Sequence, residues 1–214
     1  MADSENDVVR EVFPEPSDLG TKEFWDARYE EELAALDEFG DEGEIWFGKS
    51  SMVRCADFLL KLRGVDTDRS SVSVVDIGCG NGAMLRYLRR KGFERLVGLD
   101  YSDGAISLCD RLEQSNGDTS VDRTEIMFAQ ADILNADSLT EHKEMFDIAL
   151  DKGTYDAIAL SEGGQSNLKT YRDNLKRLFR PHGFGIFVLF SCNFTIDELK
   201  HHFVAKRCVS VLPQ

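Results

Sequence analysis

The stretch VVDIGCGNG, residues 74–82, constrains the fold more than any other part of this chain. An apolar run breaks at Gly78 and Gly80 and gives way to AMLRYLRRK, whose apolar residues recur at helical spacing. A strand that turns into a helix through closely spaced glycines lets backbone come close to a ligand, because no Cβ stands in the way. The pattern then repeats. Apolar runs at 72–77, 95–100, 124–129, 146–151 and 184–191 alternate with helical stretches at 83–91, 103–114 and 168–179. This alternation with short connections predicts an α/β, Rossmann-like fold, a doubly wound and mostly parallel sheet with helices on both faces.

The glycine turn alone does not name its ligand. Gly78-x-Gly80-x-x-Ala83, with Cys79 between the glycines and Asp100 following Gly78 by 22 positions, also fits a dinucleotide fingerprint. Charge separates the candidates. Asp76 stands two residues before Gly78, where it would repel a pyrophosphate by about 1 kcal/mol or more. The methionine half of S-adenosylmethionine carries a sulfonium and an ammonium, and an acidic residue suits it. Asp100 closes the second strand in GLDYS, placed to accept from ribose hydroxyls, with Tyr101 as a face for adenine. Asp132 follows the third strand in AQADI, placed to accept from the adenine amino group, with Ile133 packing on the ring. Three carboxylates after three successive strands fall at one sheet edge, where ligands of such sheets bind.

Residues 1–18 read as an acidic disordered tail and 19–64 as a helical cap, with helices at 21–38 and 50–63 flanking GEIWFG. Residues 65–214 form the core, a single domain with the cap. No apolar run approaches the roughly 18 residues of a membrane span. A net charge of −14 disfavours nucleic acid and suits a basic protein partner. The five cysteines include no C-x-x-C pair, which argues against a disulfide framework or a metal site. The expected setting is a reducing cytoplasm, with the nucleus as a second compartment, and the expected state is a monomer.

DIGCGNG, GLDYS and AQADI together resemble the class I, seven-strand S-adenosylmethionine-dependent methyltransferases. GEIWFG, DKGTYD and FSCNFTIDEL narrow this: they are similar to the methyltransferase-like protein 10 group of elongation factor 1-alpha lysine N-methyltransferases, from about Leu19 onward. The resemblance implies S-adenosylmethionine as cofactor and a lysine of elongation factor 1-alpha, a basic protein, as substrate. It also implies that Trp46 lies over the cofactor pocket. Family members continue past Leu212-Pro213 with a last strand, so residues 207–212 are expected as the penultimate strand and the final edge strand as missing.

A lysine methyltransferase must align a neutral amine with the methyl group and help that amine lose a proton. FDIALDKGTYD ends a buried strand on charge, and Asp151 is expected to face the gap between cofactor and amine, with Tyr155 as an aromatic wall or hydrogen-bonding partner. Lys152 reads as a solvated side chain, Asp156 as a cap of the next turn, Asn193 as a border of the substrate channel and Cys192 as a core thiol. Two other readings stay open on the residues: a small-molecule methyltransferase on the same fold, and an NAD-dependent oxidoreductase or silent nucleotide-binding module.

Overall fold

The computed structural model describes residues 13–115, 124–183 and 185–203. Most of the expected tail, Phe184 and the expected strand at 207–212 lie outside the described residues. Five strands, β1 (Ser73–Ile77), β2 (Arg95–Asp100), β3 (Met127–Gln130), β4 (Ile148–Lys152) and β5 (Ile186–Phe190), form one sheet in the order β3-β2-β1-β4-β5. Every neighbouring pair is parallel. The chain winds outward from β1 in one direction and from β4 in the other, so a crevice opens between their carboxyl ends.

All five residues of β1 are buried, as a central parallel strand covered on both faces requires. Strand parity divides its side chains between two layers. Val74, Ile148 and Leu150 pack with Leu59 of α2 (Gly48–Leu60) and Leu85 and Leu88 of α3 (Ala83–Arg90). Val75, Ile77 and Ala149 pack on the other face with Leu168, Leu175 and Leu178 of α6 (Gly164–Leu178).

The cap helix α1 (Lys22–Phe39) starts where the Thr21 side chain accepts from Phe24 N and stops where Gly40 adopts a left-handed conformation. Tyr29 on its inner side joins Ala105, Leu108 and Leu112 of α4 (Asp103–Ser115) in a third apolar cluster. Two helices were not expected. α5 (Thr154–Ala159) is too short for a helical period to show in sequence. α7 (Ile196–Phe203) carries a capping box that does show there: Thr195 Oγ1 accepts from Glu198 N, and Glu198 Oε2 accepts from Thr195 N at 2.7 Å. Among the described residues no strand pairs with the outer edge of β5, and no helix is long and apolar enough to cross a membrane.

Candidate active site

The glycine turn is tied to β2 and to the start of α5. Gly78 N and Cys79 N donate to Leu99 O at 2.7 and 3.0 Å, and Thr154 Oγ1 donates to Ile77 O at 2.9 Å. Gly78 has φ +66°, and a Cβ there would strike the Thr154 hydroxyl, so glycine is required on conformational and steric grounds alike. Gly80 N and Ser102 N each donate to the Asp100 carboxylate at 3.0 Å. Burial nevertheless pushes that carboxyl up to about 6.

A cavity of about 270 Å³ opens over this turn. Of the expected cofactor residues, Trp46, Gly78, Cys79, Gly80, Asp100, Tyr101, Asp132 and Ile133 all line it. Residues 42–47 cross above the turn as a strap. Asn81 Nδ2 donates to Glu42 O and Glu44 O, Glu44 N donates to Glu32 Oε1, and Arg86 Nη1 donates to Asn81 O at 2.6 Å. The strap delivers Trp46 edge-on to Trp25, 5.1 Å between centroids, and Trp25 Nε1 is anchored on Leu19 O. Trp25 and Tyr29 also line the cavity. Their i, i+4 spacing in the helix expected at 21–38 puts both on one face, but spacing alone does not show that this face walls a cavity.

Three expected site residues are elsewhere. Asp76 sits in the α2–α3 layer with Val74; it is fully buried and off the cavity wall, and among the described residues neither carboxylate oxygen has a hydrogen-bond partner. Asp151 lies in the opposite layer, also fully buried. It accepts from Thr154 N at 2.9 Å, Tyr155 N at 3.0 Å and Tyr171 OH at 2.6 Å, which makes it the anchor of the first turn of α5. Burial pushes its carboxyl up to about 7. Tyr155 is buried beneath the site, its hydroxyl 2.9 Å from both His202 Nδ1 and Arg172 Nη1. Parity explains the displacement: successive strand residues face opposite layers, so the residue that reaches the wall is Lys152.

Asp156, Cys192 and Asn193 line the cavity on the side facing β5. The Asp156 carboxylate accepts from Ser191 Oγ at 2.5 Å and Cys192 N at 2.7 Å, with the exposed Cys192 Sγ at 3.3 Å. Cys192 is therefore a wall thiol and not a core one, and Asp156 joins the β4 and β5 ends across the crevice.

A sequence model of the methyltransferase domain family matches residues 68–210. EEF1A lysine methyltransferase 2 of Homo sapiens is 40% identical over 88% of this chain and 74% of its own length. The chain belongs to the EEF1A lysine methyltransferase 2 family. Protein-lysine N-methyltransferase EFM4 of Saccharomyces cerevisiae is 39% identical over 86% of this methyltransferase and 79% of itself. In fold, the methyltransferase also matches the solved structure of Haemonchus contortus phosphoethanolamine N-methyltransferase 2, with TM-score 0.52 and 14% identity over 76% of this chain and 32% of that one.

S-adenosylmethionine is the cofactor of this methyltransferase, and the NAD reading left open by glycine spacing falls away. The cavity fits the group: Glu32, Glu44, Asp100, Asp132 and Asp156 give it an acidic wall, and the glycine turn leaves the space that a Cβ would fill. An acidic wall suits a cationic ligand and opposes a pyrophosphate.

Proposed function

We propose that this methyltransferase transfers the methyl group of S-adenosylmethionine to a lysine side chain of translation elongation factor 1-alpha, in the cytoplasm. The observation that carries this reading is the 40% identity with EEF1A lysine methyltransferase 2, which extends over 88% of the chain. The net charge of −14 supports it, since an acidic surface attracts a basic protein.

When bound, S-adenosylmethionine supplies an electrophilic methyl group on a sulfonium, ready for direct displacement by an amine. Asp100, already oriented by Gly80 N and Ser102 N, would accept from the ribose hydroxyls. Asp132 uses Oδ1 to accept from Leu134 N at 2.8 Å, which leaves Oδ2 as the acceptor that would hold the adenine amino group, with Tyr101 and Ile133 as the residues that would pack on the ring. Trp25 and Trp46 exclude water from above. The acceptor lysine, with an ordinary pKa of about 10.4, must lose a proton. Asp156 replaces Asp151 as the carboxylate that receives the amine N–H, because it lies on the wall. Asp151 holds α5, and with it Asp156, in position.

The test is labelled methyl transfer into elongation factor 1-alpha and a panel of its single Lys→Arg variants. One variant should lose the label while the others keep it. Labelling of none, by a chain that binds S-adenosylhomocysteine, would overturn the substrate.

A further inference from the structure

Among the described residues, Lys152 is the only basic side chain on a cavity wall that otherwise carries five carboxylates. Its side chain is 9% exposed, and Nζ stands 4.0 Å from Asp76 Oδ2, beyond hydrogen-bonding distance. The ammonium makes no hydrogen bond among the described residues. Asp76 beneath it is fully buried and likewise has no hydrogen-bond partner. Burying a lysine this far is costly unless its charge is met, and a Coulombic contact with all N–H donors unspent meets it only partly. The register pairs Ile77 with Asp151, which brings Gly78 and Lys152 to the same end of adjoining strands. Lys152 thus stands beside the turn over which the cofactor binds.

We propose that Lys152 holds the α-carboxylate of S-adenosylmethionine and of its product S-adenosylhomocysteine, with Asp76 fixing the ammonium from below. The α-carboxylate is the one anionic group of this cofactor, and among the described residues Lys152 is the one cation on the wall that can meet it. Asp76 then acts through Lys152 without touching the ligand, which gives its orphaned carboxylate a purpose. The inference rests on the cofactor and is independent of the protein substrate.

Calorimetric titration of the whole chain with S-adenosylhomocysteine, and with 5′-methylthioadenosine, which lacks the amino-acid end, tests it. Lys152→Met should bind S-adenosylhomocysteine about 10- to 100-fold more weakly, the loss expected for a charged hydrogen bond. Its affinity for 5′-methylthioadenosine should stay as in the unaltered chain, and Lys152→Arg should recover part of the loss. Decarboxylated S-adenosylmethionine, which retains the amine and the sulfonium, should also bind both forms alike. If Lys152→Met does not fold, Asp76→Asn/Lys152→Met removes both buried charges and carries the same expectations. Equal losses for both ligands would make Lys152 structural and overturn the proposal. So would unchanged affinity for S-adenosylhomocysteine accompanied by slower methyl transfer, which would place Lys152 on the acceptor side. Failure of the unaltered chain to bind S-adenosylhomocysteine would overturn this inference together with the cofactor assignment.

Discussion

Asp151→Ala separates a structural carboxylate from a chemical one, and the structure sets both the sign and the size of the effect. In the folded chain the Asp151 carboxyl is pushed up to about 7 by burial, against 3.8 for an ordinary aspartate. A group raised in this way stabilises the fold fully below about pH 4, and that stabilisation is lost as pH rises through about 7. Between pH 5 and 7 the unfolded chain has released the proton and the folded chain still holds it. Stability therefore falls by about 1.4 kcal/mol per pH unit, close to 3 kcal/mol over that window. Alanine removes this dependence. It also leaves Thr154 N, Tyr155 N and Tyr171 OH without their acceptor, at a cost of about 1–3 kcal/mol for each buried donor. Urea unfolding of both proteins at pH 5 and pH 8 measures the two parts. The alanine variant should be the less stable at pH 5, and the gap should narrow by about 3 kcal/mol at pH 8. A gap that stays constant or widens toward pH 8 would refute a buried, proton-holding Asp151. A variant of full stability that binds S-adenosylhomocysteine and transfers no methyl would return Asp151 to the chemistry.

Other residues give sharper expectations for ligand and turnover. Asp156→Asn should slow methyl transfer by about 100-fold or more, the scale of a lost general base, with affinity for S-adenosylhomocysteine little changed; an unchanged rate in single-turnover assays would remove Asp156 from the amine. With the Asp100 carboxyl raised to about 6, calorimetric affinity for S-adenosylhomocysteine should weaken as pH falls below that value, and Asp100→Asn should flatten the profile. Gly78→Ala should destabilise the chain by more than about 1 kcal/mol, since φ there is +66° and the new methyl meets Thr154; a melting temperature equal to that of the unaltered chain would contradict the steric role.

The glycine turn, the five strands and most of the cofactor wall were legible because each rests on a local signal. Gly78 and Gly80 punctuate a strand–helix junction, and Asp100 closes β2 while Asp132 follows β3 at the same sheet edge. The substrate side was not legible in the same way. DKGTYD places a carboxylate, an ammonium and a second carboxylate within six residues, and sequence does not say which of them faces the crevice. That depends on the parity of β4 relative to its neighbours: Leu150 joins the α2–α3 layer, so Asp151 points away from it and Lys152 points with it. Asp76 was misplaced for the same reason, because Val74 and Asp76 share the α2–α3 layer. The contribution of Trp25 and Tyr29 depends on how the cap lies over the turn, a tertiary contact that helical spacing does not encode. The capping box of α7, by contrast, is a local signal carried by Thr195 and Glu198 in the sequence itself.

The central claim is that a lysine of elongation factor 1-alpha receives the methyl group at this cavity. Deuterated-methyl S-adenosylmethionine, incubated with the chain and unmodified elongation factor 1-alpha, reports it directly by peptide mass spectrometry. Deuterated methyl is expected on a single lysine side chain, incorporated about 100-fold more slowly by Asp156→Asn and abolished by excess S-adenosylhomocysteine. Label on no lysine, or label incorporated by Asp156→Asn at the rate of the unaltered chain, would contradict the claim.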